Sequence, residues 1–178
     1  MNIQQTGVST MKATSTQATV KIGNLRWMWF SWLVFIVDQT AKWLAIRYLY
    51  FGEPVEVTPF LNWTLDYNYG AAFGFLNKSG GMQRWFFIFI AVVVCAVIVA
   101  WLAKLPRKNN FQAFSLSLIL GGALGNLWDR IFHSYVIDFI YFHIRAWHFA
   151  IFNLADAAVT IGAILFALTF FSKEDHLT

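Results

Sequence analysis

Asp138 and Asp156 are the two residues of this 178-residue chain with the most chemistry to offer. They lie in residues 121–160, GGALGNLWDRIFHSYVIDFIYFHIRAWHFAIFNLADAAVT, a stretch that also holds Asp129 and three of the four histidines. Two carboxylates held close together cannot both ionise easily, so they share a proton. The ionised member can then take a proton from water while the neutral one polarises a carbonyl, which is the chemistry of an aspartyl protease. Such a site needs no serine, cysteine or metal. Other hydrolytic schemes fit the chain poorly. There is no HExxH motif for zinc. His133, His143 and His148 are spaced by ten and five residues, which matches no common metal site, and their aromatic neighbours suggest an interfacial belt. Cys95 lies in the middle of an apolar run, and Ser115 and Ser117 lie toward the opposite end of their helix from the acids.

Two other functions remain open on these residues alone. Acids and lysines inside membrane helices also mark ion paths, so a transporter or proton-conducting protein is the main alternative. It predicts polar residues along the full length of the helices. The second alternative is structural: Asp156 would be a helix N-terminal acid stabilised by the helix dipole, worth about 0.3–1 kcal/mol, and Asp138 an ordinary loop acid.

The elements that must position the acids are membrane helices. Hydrophobic residues make up 58% of the chain and charged residues 12%, against about 45–50% and about 25% in a soluble domain. The excess of Lys and Arg gives a net charge of +4. In a membrane chain this reads as topology and contact with anionic lipid, not nucleic-acid binding. One cysteine allows neither an internal disulfide nor a cysteine-based metal site.

Residues 1–25 are rich in Ser, Thr and Gln and read as a disordered tail. The next apolar run is too long for a cleaved leader and carries Asp38 and Lys42. Spans are predicted at about 27–48, 85–103, 111–132 and 151–171. The second is the cleanest: 19 uncharged residues, roughly 28 Å as a helix and close to one hydrocarbon core. Asp38 and Lys42 stack on one helix face, and a charge at that depth costs about 2.5–3.5 kcal/mol. They form either a structural ion pair, or Lys42 binds the substrate or stabilises the site. Between the first two spans, residues 51–83 hold Pro54, Pro59 and several glycines around an alternating run, Leu61-Asn62-Trp63-Thr64-Leu65-Asp66-Tyr67-Asn68-Tyr69. Period two predicts a half-buried strand, hence a small extramembrane sheet. Asn68 is either a turn residue or a buried amide that binds substrate backbone. The fold class is therefore an all-α membrane protein of four transmembrane helices, residues 26–172, with a small β-sheet between spans one and two and a cytoplasmic tail at 173–178.

Seven of the thirteen Lys and Arg residues fall in the tail, the 104–108 loop and the C-terminus, which assigns those segments to the cytoplasm. Asn126, Asp129 and Arg130 then share a face roughly 22–29 Å along span three, near the outer surface. Asn153 and Asp156 share a face on the first turns of span four. Both acids of interest reach the outer side.

Five segments, in order, resemble the lipoprotein signal peptidase (signal peptidase II) family: Asp38-Gln39-x-x-Lys42; Asn68-x-Gly70-Ala71-Ala72-Phe73-Gly74; Gly121-Gly122-Ala123-Leu124-Gly125-Asn126-Leu127-x-Asp129-Arg130; Val136-x-Asp138-Phe139; and Phe152-Asn153-x-Ala155-Asp156. The resemblance runs from about Trp27 to Phe171. It implies an aspartic endopeptidase of the bacterial inner membrane, with Asp138 and Asp156 as the catalytic dyad. Asp38, Lys42, Asn68, Gly122, Asn126, Asp129, Arg130 and Asn153 would support the site or the substrate. The implied substrate is a prolipoprotein carrying diacylglycerol on a cysteine, cut just before that cysteine. It further implies inhibition by globomycin and a site at the periplasmic face. The chain is also expected to keep both termini cytoplasmic, to contact membrane lipids, to need no metal or other cofactor, and to be a monomer. The outer strand segment would clasp the substrate, and the aromatic loop between the two acids would act as a lid or membrane anchor.

Overall fold

A computed structural model describes residues 23–70, 82–144 and 147–174. Four long helices, α1 (Met28–Tyr48), α2 (Met82–Lys104), α3 (Asn110–Phe132) and α4 (Leu154–Glu174), are joined by four strands, β1 (Val55–Thr58), β2 (Leu61–Asn68), β3 (Val136–Ile144) and β4 (Trp147–His148). Helix α3 is the hub: it packs against α1, α2 and α4. Its glycines allow this. A methyl group at Gly122 would overlap the carbonyl oxygen of Ala155 on α4, and one at Gly125 would overlap a carboxylate oxygen of Asp38 on α1. Backbone can approach that closely only where the side chain is hydrogen.

Helices α2 and α3 are long and apolar enough to cross a membrane. α2 leaves Phe89, Val92, Val93 and Val97 exposed and buries Cys95, Ile98 and Leu102 against its neighbours. So large an exposed apolar face is the surface of a protein that lives in lipid. α1 and α4 are each 21 residues long. α1 turns Asp38 and Lys42 wholly inward, at 0% and 1% exposure, which keeps both charges out of hydrocarbon.

The sheet is antiparallel in the order β1-β2-β3-β4. It is not confined to residues 51–83, since two of its strands come from the segment between α3 and α4. β3 escaped the period-two signal because it is central: its first five residues are all buried, so both faces are apolar apart from Asp138. Ile137 and Phe139 pack with Leu65 of β2 and Ala45 of α1, and strand alternation turns Asp138 to the other face. The aromatic loop expected as a lid is thus largely sheet, with residues 145 and 146 outside the described residues.

Two boundaries also move. Of the expected tail, residues 1–22 lie outside the described residues, but residues 23–25 belong to the folded body. The Asn24 N–H donates to the Leu102 carbonyl at 2.8 Å and its side-chain amide to the Pro106 carbonyl at 2.6 Å. Carbonyls at a helix C-terminus lack intrahelical partners, and Asn24 supplies donors there. α4 starts at Leu154 rather than near 151 because Asn153 caps it. Ala71, Ala72, Phe73 and Gly74, and residues 175–178 of the expected tail, lie outside the described residues.

Candidate active site

Asn153 is the residue on which the two acids meet. It precedes α4, and its side-chain oxygen accepts the Asp156 N–H at 2.9 Å while an Asp156 carboxylate oxygen accepts the Asn153 N–H at 3.3 Å. This is a reciprocal capping arrangement, with the acid three residues after the cap. With its oxygen committed to the helix, the Asn153 amide nitrogen must point away from it. It donates to the Asp138 carboxylate at 2.6 Å, with the Ile137 carbonyl and the Asn126 side-chain oxygen also in reach at 3.3 and 3.2 Å. One asparagine therefore gives an N–H to each of two carboxylates eighteen residues apart in sequence.

Asn126 is oriented in the same way. Its oxygen accepts from the Lys42 ammonium and from Asn153, both at 3.2 Å, so its nitrogen faces Asp156 and donates at 2.7 Å. Asn68, at the end of β2, accepts the Gly70 N–H at 3.0 Å and turns its nitrogen to Asp138 at 3.1 Å. Three amides thus have their oxygens occupied and their donors aimed at the acids.

Behind Asn126 lies a buried ionic cluster. The Lys42 ammonium is 2.8 Å from both Asp38 and Asp129. Asp38 also accepts the Ala155 N–H at 2.9 Å, tying α1 to the first turn of α4, and Asp129 accepts the Ile137 N–H at 3.2 Å, tying α3 to β3. Gln39 completes the cluster by donating to Asp129 at 3.0 Å, Asp38 at 3.2 Å and the Gly125 carbonyl at 3.3 Å. Gln39 received no role from the sequence. Its signal was present: an amide directly after Asp38 in a predominantly apolar run. Buried pairs of this kind cost much to desolvate and are retained where geometry matters.

Asn126 also lines a cleft of about 340 Å³, together with Asn68, Arg130, Ile151, Phe152 and Asp156, among others. Asp156 is half-buried on its wall. Asp138 lies behind Asn68 and Asn153 at 1% exposure. Burial pushes the Asp138 carboxyl up to about 7, and the neighbouring Asp156 charge adds to the rise, while the Asn68 and Asn153 donors and Lys42 oppose it. Arg130 spans the rim, donating to the Asn126 carbonyl at 3.2 Å and the Gly70 carbonyl at 3.4 Å with its guanidinium over the Phe87 ring. Gly122 does not line the cleft; it sets the α3–α4 approach that brings Asn126 to Asp156. The histidines lie elsewhere: His133 follows α3 and stacks on Tyr135, and His143 pairs in register with His148 across β3 and β4.

A half-exposed carboxylate, a buried carboxyl that holds its proton near neutral pH, and amide donors on both can activate water against a carbonyl. Comparisons with known proteins point the same way. A family model described as "Signal peptidase (SPase) II" matches residues 30–172. A lipoprotein signal peptidase of Acinetobacter baumannii is 50% identical over 154 residues, 86% of this chain and 88% of the relative. One from Coxiella burnetii is 51% identical over 139 residues, 78% of this chain and 85% of the relative. A solved structure described as "Bacterial membrane enzyme structure by the in meso method at 2.3 A resolution" aligns with a TM-score of 0.77 and 34% identity, covering 86% of this chain and 92% of that one.

Proposed function

Because the chain belongs to the signal peptidase II family, we propose that Asp138 and Asp156 are the catalytic pair of its peptidase reaction. The activity is that of a lipoprotein signal peptidase, an aspartic-type membrane hydrolase acting on prolipoproteins. Asp156, on the cleft wall, takes the proton from the attacking water. Asp138, buried and protonated near neutral pH, gives its proton to the oxygen of the scissile carbonyl. The tetrahedral intermediate collapses, the amine leaves with a proton returned by the pair, and the dyad is reset. The observation that carries this reading is Asn153, whose side-chain amide donates to the Asp138 carboxylate and whose backbone N–H donates to the Asp156 carboxylate.

The other polar residues position the pair. Lys42, Asp38 and Asp129 hold Asn126 in its donor orientation toward Asp156, and Asn68 does the same for Asp138. Arg130 is aimed to bind substrate carbonyls at the rim. The substrate is a prolipoprotein lipidated with diacylglycerol on the cysteine that follows the cut, and globomycin inhibits its cleavage. Four helices cross the inner membrane with both termini in the cytoplasm and the dyad at the periplasmic level, as supported by the basic residues at 104–108. The sheet, with exposed Phe51, Phe60 and Trp147, suits the headgroup layer, where aromatic rings are favoured. The enzyme works as a monomer, and two carboxylates that share a proton activate water without a metal or other cofactor.

A gel-shift cleavage assay on a diacylglyceryl prolipoprotein tests the assignment. Asp138→Asn and Asp156→Asn should each abolish cleavage while the protein still inserts. Full activity in either purified variant would overturn it.

A further inference from the structure

We propose that the end of the α3–α4 pair remote from the dyad is a binding site for the phosphodiester headgroup of an anionic phospholipid. A pocket of about 500 Å³ opens there, between the start of α3 and the last turns of α4. Thr169 of the pocket and Asp156 of the pair are thirteen residues apart on α4, which separates them by about 20 Å. That is about two thirds of a hydrocarbon core of about 30 Å, which carries the pocket toward the opposite headgroup level.

Its walls have two characters. Lys108, Asn109, Gln112 and Thr169 are polar, whereas Phe111 and Leu168 are apolar and stand 52% and 50% exposed. The polar wall is held in place: Asn109 donates to Gln112 at 2.9 Å and Gln112 to Thr169 at 3.2 Å. Lys108 is exposed, and among the described residues no carboxylate pairs with it. Arg26 brings a second cation to the same end, donating to the Asn110 side chain at 2.7 Å. The first turn of α3 contains no acid. In the sequence Lys104, Arg107 and Lys173 add to Arg26 and Lys108 at this end against Glu174 and Asp175, so basic residues outnumber acidic ones and the end calls for an anion.

A phosphate ester and a free phosphate share the chemistry that Lys108 recognises. The apolar walls decide between them. A free ion would leave Phe111 and Leu168 bare, whereas a lipid would lay its glycerol and first methylenes over both. The volume suits a headgroup, since small-molecule pockets run from about 300 to about 1,000 Å³.

The test uses the full chain, delipidated in a neutral detergent, with phosphatidylglycerol and phosphatidylcholine of identical acyl chains as probes. Binding is read by native mass spectrometry and by the rise in unfolding midpoint. The wild type should hold phosphatidylglycerol at least about fivefold more tightly than phosphatidylcholine, the worth of one basic residue near an anionic lipid. Lys108→Gln should lose about that factor. Lys104→Gln, at the same end but off the pocket, should change little. Equal binding of the two lipids would overturn the site. So would an equal loss in both lysine variants, which would mean a diffuse field, or displacement of the lipid by equimolar inorganic phosphate, which would mean a simple anion site. Neither lysine is near the dyad, so prolipoprotein cleavage by both variants reports on the peptidase reading separately.

Discussion

Replacing Asp138 by asparagine should make the protein less stable in acid and more stable in mild alkali. A carboxyl held at about 7 in the folded state, against an ordinary 3.8, binds its proton more tightly when folded. Its contribution to stability is complete below about pH 4 and is lost as the pH rises to about 7. The shift corresponds to about 4 kcal/mol between those limits. An asparagine cannot ionise, so the variant escapes that loss. It suffers another: it has one acceptor oxygen where two amide donors, from Asn68 and Asn153, now find two. Asn68 cannot simply flip, because its own oxygen is engaged by the Gly70 N–H. The mismatch costs about 1–2 kcal/mol. The variant should therefore be less stable than the wild type by about 1–2 kcal/mol at pH 4 and more stable by about 2–3 kcal/mol at pH 8, with the curves crossing near pH 5. Unfolding in detergent, followed by tryptophan fluorescence across that range, measures the difference. A difference that does not change with pH, or that changes with the opposite sign, refutes the argument. Wild-type cleavage gives a companion reading: if Asp138 must carry the proton, turnover falls as the pH rises through about 7.

The remaining predictions concern the supports. Lys42→Met leaves two buried carboxylates unpaired and should cost about 3–5 kcal/mol, and adding Asp129→Asn should restore part of that stability, both read from denaturant unfolding. Gly125→Ala pushes a methyl group into the Asp38 carboxylate and should cost about 1–3 kcal/mol; an unfolding midpoint equal to wild type would mean that the α1–α3 contact is looser than the structure has it.

How much of this was visible in the chain depends on what each residue has to do. The charged residues were legible because charge is expensive in a membrane: Asp38, Lys42, Asp129, Asp138 and Asp156 all stand out against apolar surroundings. The helices were legible to within about three residues for the same reason. β3 was not recognised as a strand, because its burial on both faces removes the alternation that betrayed β2. Nor was the role of Asn24 at residues 102–106, since a cap on a distant helix end leaves no periodic signal.

The least legible feature carries the most chemistry. Sequence spacing put Asn153 and Asp156 on one face, and Asn126 near the acids, but an asparagine has a donor end and an acceptor end, and spacing does not say which one faces the carboxylate. Here the choice is made by partners from other elements. Lys42 of α1 takes the oxygen of Asn126, and the first turn of α4 takes the oxygen of Asn153. Lys42 is therefore more than a counter-ion for Asp38 and Asp129. By occupying that oxygen it turns an N–H toward Asp156. The ionic cluster holds the helices together in the arrangement that presents donors to the acids.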